Sequence, residues 1–197
     1  MTEGFIDIHT HHPNPSVRSP KMAGIHPWDA DKNLPLPDFS GCDIIGETGL
    51  DYASAVSKTA QEALFRAHLE EAEILHKPVV LHVVRAFEPV MKILSGYRGI
   101  SAVVFHGFVG SVQQAQRCYD AGYYLSFGER TLRSAKSRAV IAGAPAHLIF
   151  CETDDNPDLS IADIYREVAA IRGISVDDLK EQIVNNYKIL MQNDTLA

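Results

Sequence analysis

Phe5-Ile6-Asp7-Ile8-His9-Thr10-His11-His12 is the stretch whose reading decides the fold. Phe5, Ile6 and Ile8 make it an apolar strand, and residues two apart in a strand share a face, so His9 and His11 leave its C-terminal end side by side. Two same-face imidazoles can grip one divalent metal.

Other segments end in the same way. Lys21–Pro27 reads as a short strand reaching His26, and Cys42–Glu47 as a strand ending in a carboxylate. Val79–His82 and Ala102–His106 are apolar runs ending in histidine. Tyr123–Phe127 ends at Gly128 without a ligand, and Leu148–Asp154 ends in Glu152-Thr153-Asp154. Helical patterns alternate with these strands. The first opens on a capping box of Thr59 and Glu62 and buries Phe65, Leu69, Ala72 and Leu75. Others cover Ala86–Leu94, a segment from the Ser111/Gln114 capping box to Gly122, and Leu132–Ala142. Two more lie on Ile161, Ile164, Tyr165, Val168 and Ile171, and on Leu179, Ile183, Tyr187 and Leu190. Pro13 to Pro20, with three prolines and two serines, excludes regular structure.

Nearly continuous apolar strands alternating with amphipathic helices predict a parallel sheet covered by helices. In a closed parallel barrel the C-terminal strand ends converge on one mouth. His11, His26, Glu47, His82, His106 and Asp154 all fall at such ends.

The 197 residues, 46% hydrophobic and 22% charged, fit one domain spanning residues 1–197. No run approaches the ~18 apolar residues of a membrane span, and Met1-Thr2-Glu3-Gly4 lacks the positive region of a leader, so a cytoplasmic location is expected. The three cysteines, Cys42, Cys118 and Cys151, are scattered and predict buried, reduced thiols. A net charge of -7 argues against a basic surface that coats duplex DNA.

In order along the chain, Asp7-Ile8-His9-Thr10-His11, Gly24-Ile25-His26-Pro27, Gly46-Glu47-Thr48-Gly49-Leu50-Asp51-Tyr52, Leu81-His82, His106-Gly107-Phe108-Val109-Gly110 and Glu152-Thr153-Asp154 resemble the TatD family of metal-dependent deoxyribonucleases. The resemblance implies an α/β, TIM-like barrel with two divalent ions, Mg, Mn or Zn. It makes His9, His11 and Asp154 ligands of one ion, His82 and His106 ligands of the other, and Glu47 the bridge. It also implies phosphodiester hydrolysis in DNA through a metal-activated water, commonly from an end. The family carries a further strand and helix where only Pro13–Met22 stand here, which predicts a seven-stranded or distorted barrel. Its Cys-Phe-Ser and its proline soon after Glu-Thr-Asp are replaced by Gly107-Phe108-Val109 and Asp155-Asn156-Pro157.

Imidazole and carboxylate without thiolate suit borderline-to-hard divalent ions. Asp154 is the candidate to orient the attacking water or take its proton, with Glu47 as its catalytic companion. Arg85, Arg130 and Arg133 follow strands and are candidates for phosphate, as is His26 for substrate; Lys136 and Arg138 are equally a solvated helix face. Trp28, Tyr52 and Phe108 are either packing residues or base platforms. His12, His68, His76 and His147 read as structural or surface residues, and Asp51 as a brace for the loop behind it. Nucleic acid is the expected partner, with neither a membrane nor an obligate protein partner. The alternatives are a phosphoesterase of small phosphate esters and an inactive metal-binding scaffold.

Overall fold

The computed structural model describes residues 4–192. Main-chain contacts divide them into two compact units, one of the residues up to Pro20 with His106–Ile189, the other of Lys21–Phe105 with the residues from Leu190.

The Lys21–Phe105 unit holds four strands, β1 (Met22–Ala23), β2 (Ile44–Asp51), β3 (Val79–Val84) and β4 (Val103–Phe105), each parallel to the next. Helix α1 (Lys58–Ile74) joins β2 to β3, and α2 (Phe87–Leu94) joins β3 to β4. Ile44, Ile45, Leu50, Val79, Val80, Leu81 and Val104 have no exposed surface, as strands covered on both faces require. Phe65, Leu69 and Ala72 supply the buried stripe of α1.

Two boundaries differ from the sequence reading. β2 does not stop at Glu47 but runs on to Asp51, with Ile45 opposite Val79 and Thr48 opposite Leu81, so three residues of β2 span two of β3. Such a bulge re-aims the side chain inside it, here Glu47. Gly49 permits the continuation: a Cβ there would lie 2.2 Å from the His82 carbonyl oxygen, and its φ of +137° belongs to glycine. α1 starts at an Ser57 cap, whose hydroxyl accepts the Ala60 N–H, and not at Thr59. Glu62, the expected partner in the Thr59 box, instead accepts from the Tyr52 hydroxyl.

In the other unit, β5 (Tyr124–Phe127) and β6 (Ile149–Cys151) are parallel neighbours. The opening segment is extended but forms isolated parallel bridges, Ile6 to Arg18 and Thr10 to Asp154, and no continuous strand. Ile8 N–H donates to Cys151 O at 3.1 Å, and Asp154 N–H to His9 O at 3.1 Å, so the segment lies along β6 and the turn after it. Arg18 stands on its other side, a bridge residue within the proline-rich stretch where no regular structure was expected.

Helices α3 (Val112–Asp120), α4 (Glu129–Arg133), α5 (Ala135–Gly143) and α6 (Ile161–Arg172) belong to this unit, and α7 (Val176–Gln192) follows. The Ser111/Gln114 capping box is present. The single helix expected over Leu132–Ala142 is two, because extended Ser134 ends α4 and its side chain caps α5. α6 stops at Gly173 with φ +67°. Tyr165 of α6 ties the opening segment to the core: its hydroxyl accepts the Ile6 N–H at 3.2 Å and donates to Ile6 O at 2.9 Å. No helix among the described residues is long and apolar enough to cross a membrane.

Candidate metal-binding site

In the unit containing the opening segment, His9 is buried and His11 exposed, yet their Nε2 atoms lie 3.6 Å and 3.8 Å from the same Asp154 Oδ1. The His9 ring is 4.4 Å from that of His106, whose Nδ1 is 3.4 Å from Glu152 Oε1. Donor atoms of His9, His11 and Asp154, and likewise of His106, Glu152 and Asp154, fall within 4.8 Å of one another.

The backbone fixes this group. Asp154 donates its N–H to His9 O, accepts the His11 N–H at 2.9 Å, and sits at φ +57°, a left-handed conformation that Asp tolerates better than most residues. Thr153 before it is clamped by Asp7, whose Oδ1 accepts the Thr153 N–H at 3.1 Å and whose Oδ2 accepts its hydroxyl at 2.6 Å. Burial pushes the Asp7 carboxyl up to about 7, against the pull of the Thr153 bonds. Burial acts on Glu152 in the same direction, but the His106 and His9 imidazoles outweigh it and hold that carboxyl below its usual value.

The Lys21–Phe105 unit carries a second group. Glu47 Oε1 is 2.6 Å from His82 Nδ1 and 3.6 Å from His26 Nε2, and donors of all three residues lie within 4.8 Å. His82 Nε2 is 3.2 Å from Asp51 Oδ2. Asp51 also accepts the Trp28 indole N–H at 2.7 Å and the backbone N–H groups of Ala53 and Ser54. Burial pushes the Asp51 carboxyl up, yet these bonds and His82 outweigh it and hold it low. His26 Nδ1 accepts the Trp28 N–H at 3.2 Å, so in the neutral ring the proton sits on Nε2, making that atom a donor.

The remaining predicted residues divide. Arg130 lines a cavity of about 190 Å³ with Gly107, Glu152 and Asp154. Arg133 is exposed and paired with Glu129, and Arg138 lies 4.0 Å from Glu167. Arg85 is exposed just after β3, at φ +52°. Phe108 is buried, which excludes it as a base platform and leaves Trp28 exposed. His68 is structural: its Nε2 accepts the Ile25 N–H at 3.0 Å while Nδ1 faces Leu64 O at 2.8 Å.

Two acids touch the histidines beyond what the sequence suggested. Glu152 is a fully buried carboxylate directly after an apolar strand, a costly placement unless paired, and His106 supplies the partner. Asp51 does brace its loop, and it also touches His82.

The profile of the TatD related DNase family matches residues 18–192. The chain is 26% identical over 193 residues to the uncharacterized metal-dependent hydrolase YcfH of Escherichia coli K12, covering 87% of this chain and 73% of YcfH. It is 31% identical over 147 residues to the 3'-5' ssDNA/RNA exonuclease TatD of Salmonella typhimurium, covering 67% of this chain and 56% of that protein. Among solved structures, the TatD homolog YJJV of Escherichia coli K12 superposes with a TM-score of 0.80 at 22% identity, over 96% of this chain and 98% of that one. A TatD family hydrolase from Entamoeba histolytica gives 0.76 at 17% identity, over 89% of this chain and 75% of that one. These similarities establish the α/β, TIM-barrel type of fold. By its profile and its relatives alike, the chain belongs to the TatD family of metal-dependent hydrolases.

Proposed function

We propose that this chain hydrolyses phosphodiester bonds of nucleic acid, DNA foremost, from an end and with two divalent ions. Residues 1–197 act as one hydrolase domain. The observation that carries the reading is the presence of two imidazole–carboxylate groups, His9, His11 and Asp154 in one unit and Glu47 with His82, flanked by His26, in the other. Donors bound at about 2 Å to one ion lie within about 4 Å of each other, close to the spacing of both groups, and the N and O donors suit Mg, Mn or Zn. The exonuclease named among the relatives supports the substrate class.

His9, His11 and Asp154 would hold one ion, with His106 and Glu152 beside them; Glu47 and His82 would hold the other. Such ions polarise a phosphoryl oxygen and lower the pKa of water. Asp154, whose Oδ1 faces the His9 and His11 imidazoles at 3.6 Å and 3.8 Å, would take the proton of the attacking water on a carboxylate oxygen. Glu47 fixes the His82 ring through Nδ1. His26, whose Nε2 carries the ring proton, donates to a substrate phosphate oxygen. The guanidiniums of Arg130, beside Asp154, and of exposed Arg85 contact phosphate, and Arg133 joins them by exchanging Glu129 for phosphate.

The test is turnover of single-stranded and duplex oligonucleotides and of a small phosphomonoester, with Mg, Mn or Zn against a chelated control. Metal-dependent release of mononucleotides is expected. Cleavage of the monoester alone would assign the chain to small phosphate esters, and no turnover with any ion would make it a binding scaffold.

A further inference from the structure

Trp28 is the sole tryptophan of the chain, and its side chain is fixed and half in water at once. Its residue exposure is 56%, although an indole ring gains most from burial. The indole N–H donates to Asp51 Oδ2 at 2.7 Å, and the ring makes T-shaped contacts with His26, centroids 4.5 Å apart at 77°, and with His82, at 6.1 Å and 72°. The backbone is fixed as well: Pro27 opens a short 3-10 turn, and the Trp28 N–H is bound to His26 Nδ1. Asp51 is held in turn by Ala53 and Ser54 N–H groups and by Gln61, which accepts the Asp51 N–H at 2.7 Å and donates to its carbonyl at 3.0 Å. An exposed aromatic ring held through its polar N–H loses little freedom when a second ring stacks on it.

We propose that Trp28 is the platform on which a nucleobase of the substrate stacks, one sugar away from the phosphate received by His26, and that this contact sets a preference for unpaired bases. The proposal rests on the nucleic-acid reading of the same site. Stacking is tolerant of base identity, because every base has a π-face, so Trp28 selects a base over no base and an unstacked end over a closed duplex. The other aromatic candidates are engaged elsewhere: Phe108 is buried, and the Tyr52 hydroxyl is bound to Glu62 while Lys58 Nζ lies 4.5 Å from its ring centroid.

Because Trp28 is alone, intrinsic fluorescence reports on it directly. In an Asp154→Asn background that holds the substrate uncleaved, a single-stranded oligothymidylate should quench the emission, and an abasic oligonucleotide of equal length should not. In the otherwise unaltered protein, Trp28→Ala should raise KM for oligothymidylate about tenfold, with the loss falling on KM and not on kcat, and Trp28→Phe should recover most of it. Equal quenching by the abasic strand, or an unchanged KM in Trp28→Ala, overturns the proposal while leaving nucleic-acid hydrolysis intact. Failure of the unaltered protein to cleave any oligonucleotide refutes the functional reading instead, and the platform is then judged by fluorescence alone: base-dependent quenching sustains it and base-independent quenching, or none, overturns it.

Discussion

Replacing Tyr165 with Phe removes one oxygen and unties two backbone groups. The hydroxyl accepts the Ile6 N–H and donates to Ile6 O, at a point where the opening segment has not yet met β6; that pairing begins at Ile8. Burial pushes the phenol far above its usual range, so its proton stays available. Ile6 is 2% exposed, so water cannot replace either bond. Each orphaned buried group costs about 1–3 kcal/mol, giving a loss of about 2–6 kcal/mol with no packing loss to add, since Phe retains the ring that packs edge-on against Phe5. For a chain of this size each kcal/mol lowers Tm by about 2–4 °C, so thermal unfolding followed by circular dichroism should shift down by at least about 4 °C and by up to about 24 °C. Metal affinity should fall too, because the loosened segment carries His9 and His11. A drop in Tm below about 2 °C would refute the reasoning, showing that Ile6 is satisfied without the hydroxyl.

Other outcomes follow from the same contacts. His68 is held below the ordinary 6.5 by burial, and protonating it would turn the acceptor of the Ile25 N–H into a donor. The unfolded chain therefore binds this proton at higher pH than the folded one, so the His68 contribution is complete above 6.5 and is lost as pH falls below it. Urea midpoints measured across that range should fall on acidification, with a flatter slope in His68→Leu; equal slopes would argue against it. Gly49→Ala places a methyl 2.2 Å from the His82 carbonyl at φ +137°, so soluble yield or Tm should collapse, and a variant of normal Tm would show that β2 and β3 can separate freely. Asp154→Asn, which keeps a residue able to hold φ +57°, should leave Tm within about 3 °C while reducing metal-dependent hydrolysis at least about a hundredfold; near-full activity would remove Asp154 from the chemistry.

The strand ends that bring imidazoles and carboxylates together were more legible in sequence than the element boundaries. An apolar run that ends abruptly in His, Glu or Asp is conspicuous, so His9, His11, Glu47, His82, His106 and Asp154 stood out together. The continuation of β2 did not, because Gly46-Glu47-Thr48-Gly49 reads as a turn when its close approach to β3 is unknown. Thr59 and Glu62 have the spacing of a capping box, but spacing cannot tell that the Tyr52 hydroxyl claims Glu62. Glu152 was hidden by its neighbour Asp154, since an acid that faces a buried imidazole looks in sequence like any other acid near a strand end. His68 lay on a helix and was read as structural, in keeping with its two backbone contacts.

Metal content per chain, measured after stripping with chelator and reloading with Mn or Zn, tests the central claim most directly. Two ions in the unaltered protein, with His82→Ala and His11→Ala each losing one and keeping the other, is the predicted result. No tightly held ion, or the same content in both variants as in the parent, would contradict the two ligand groups from which the function has been argued.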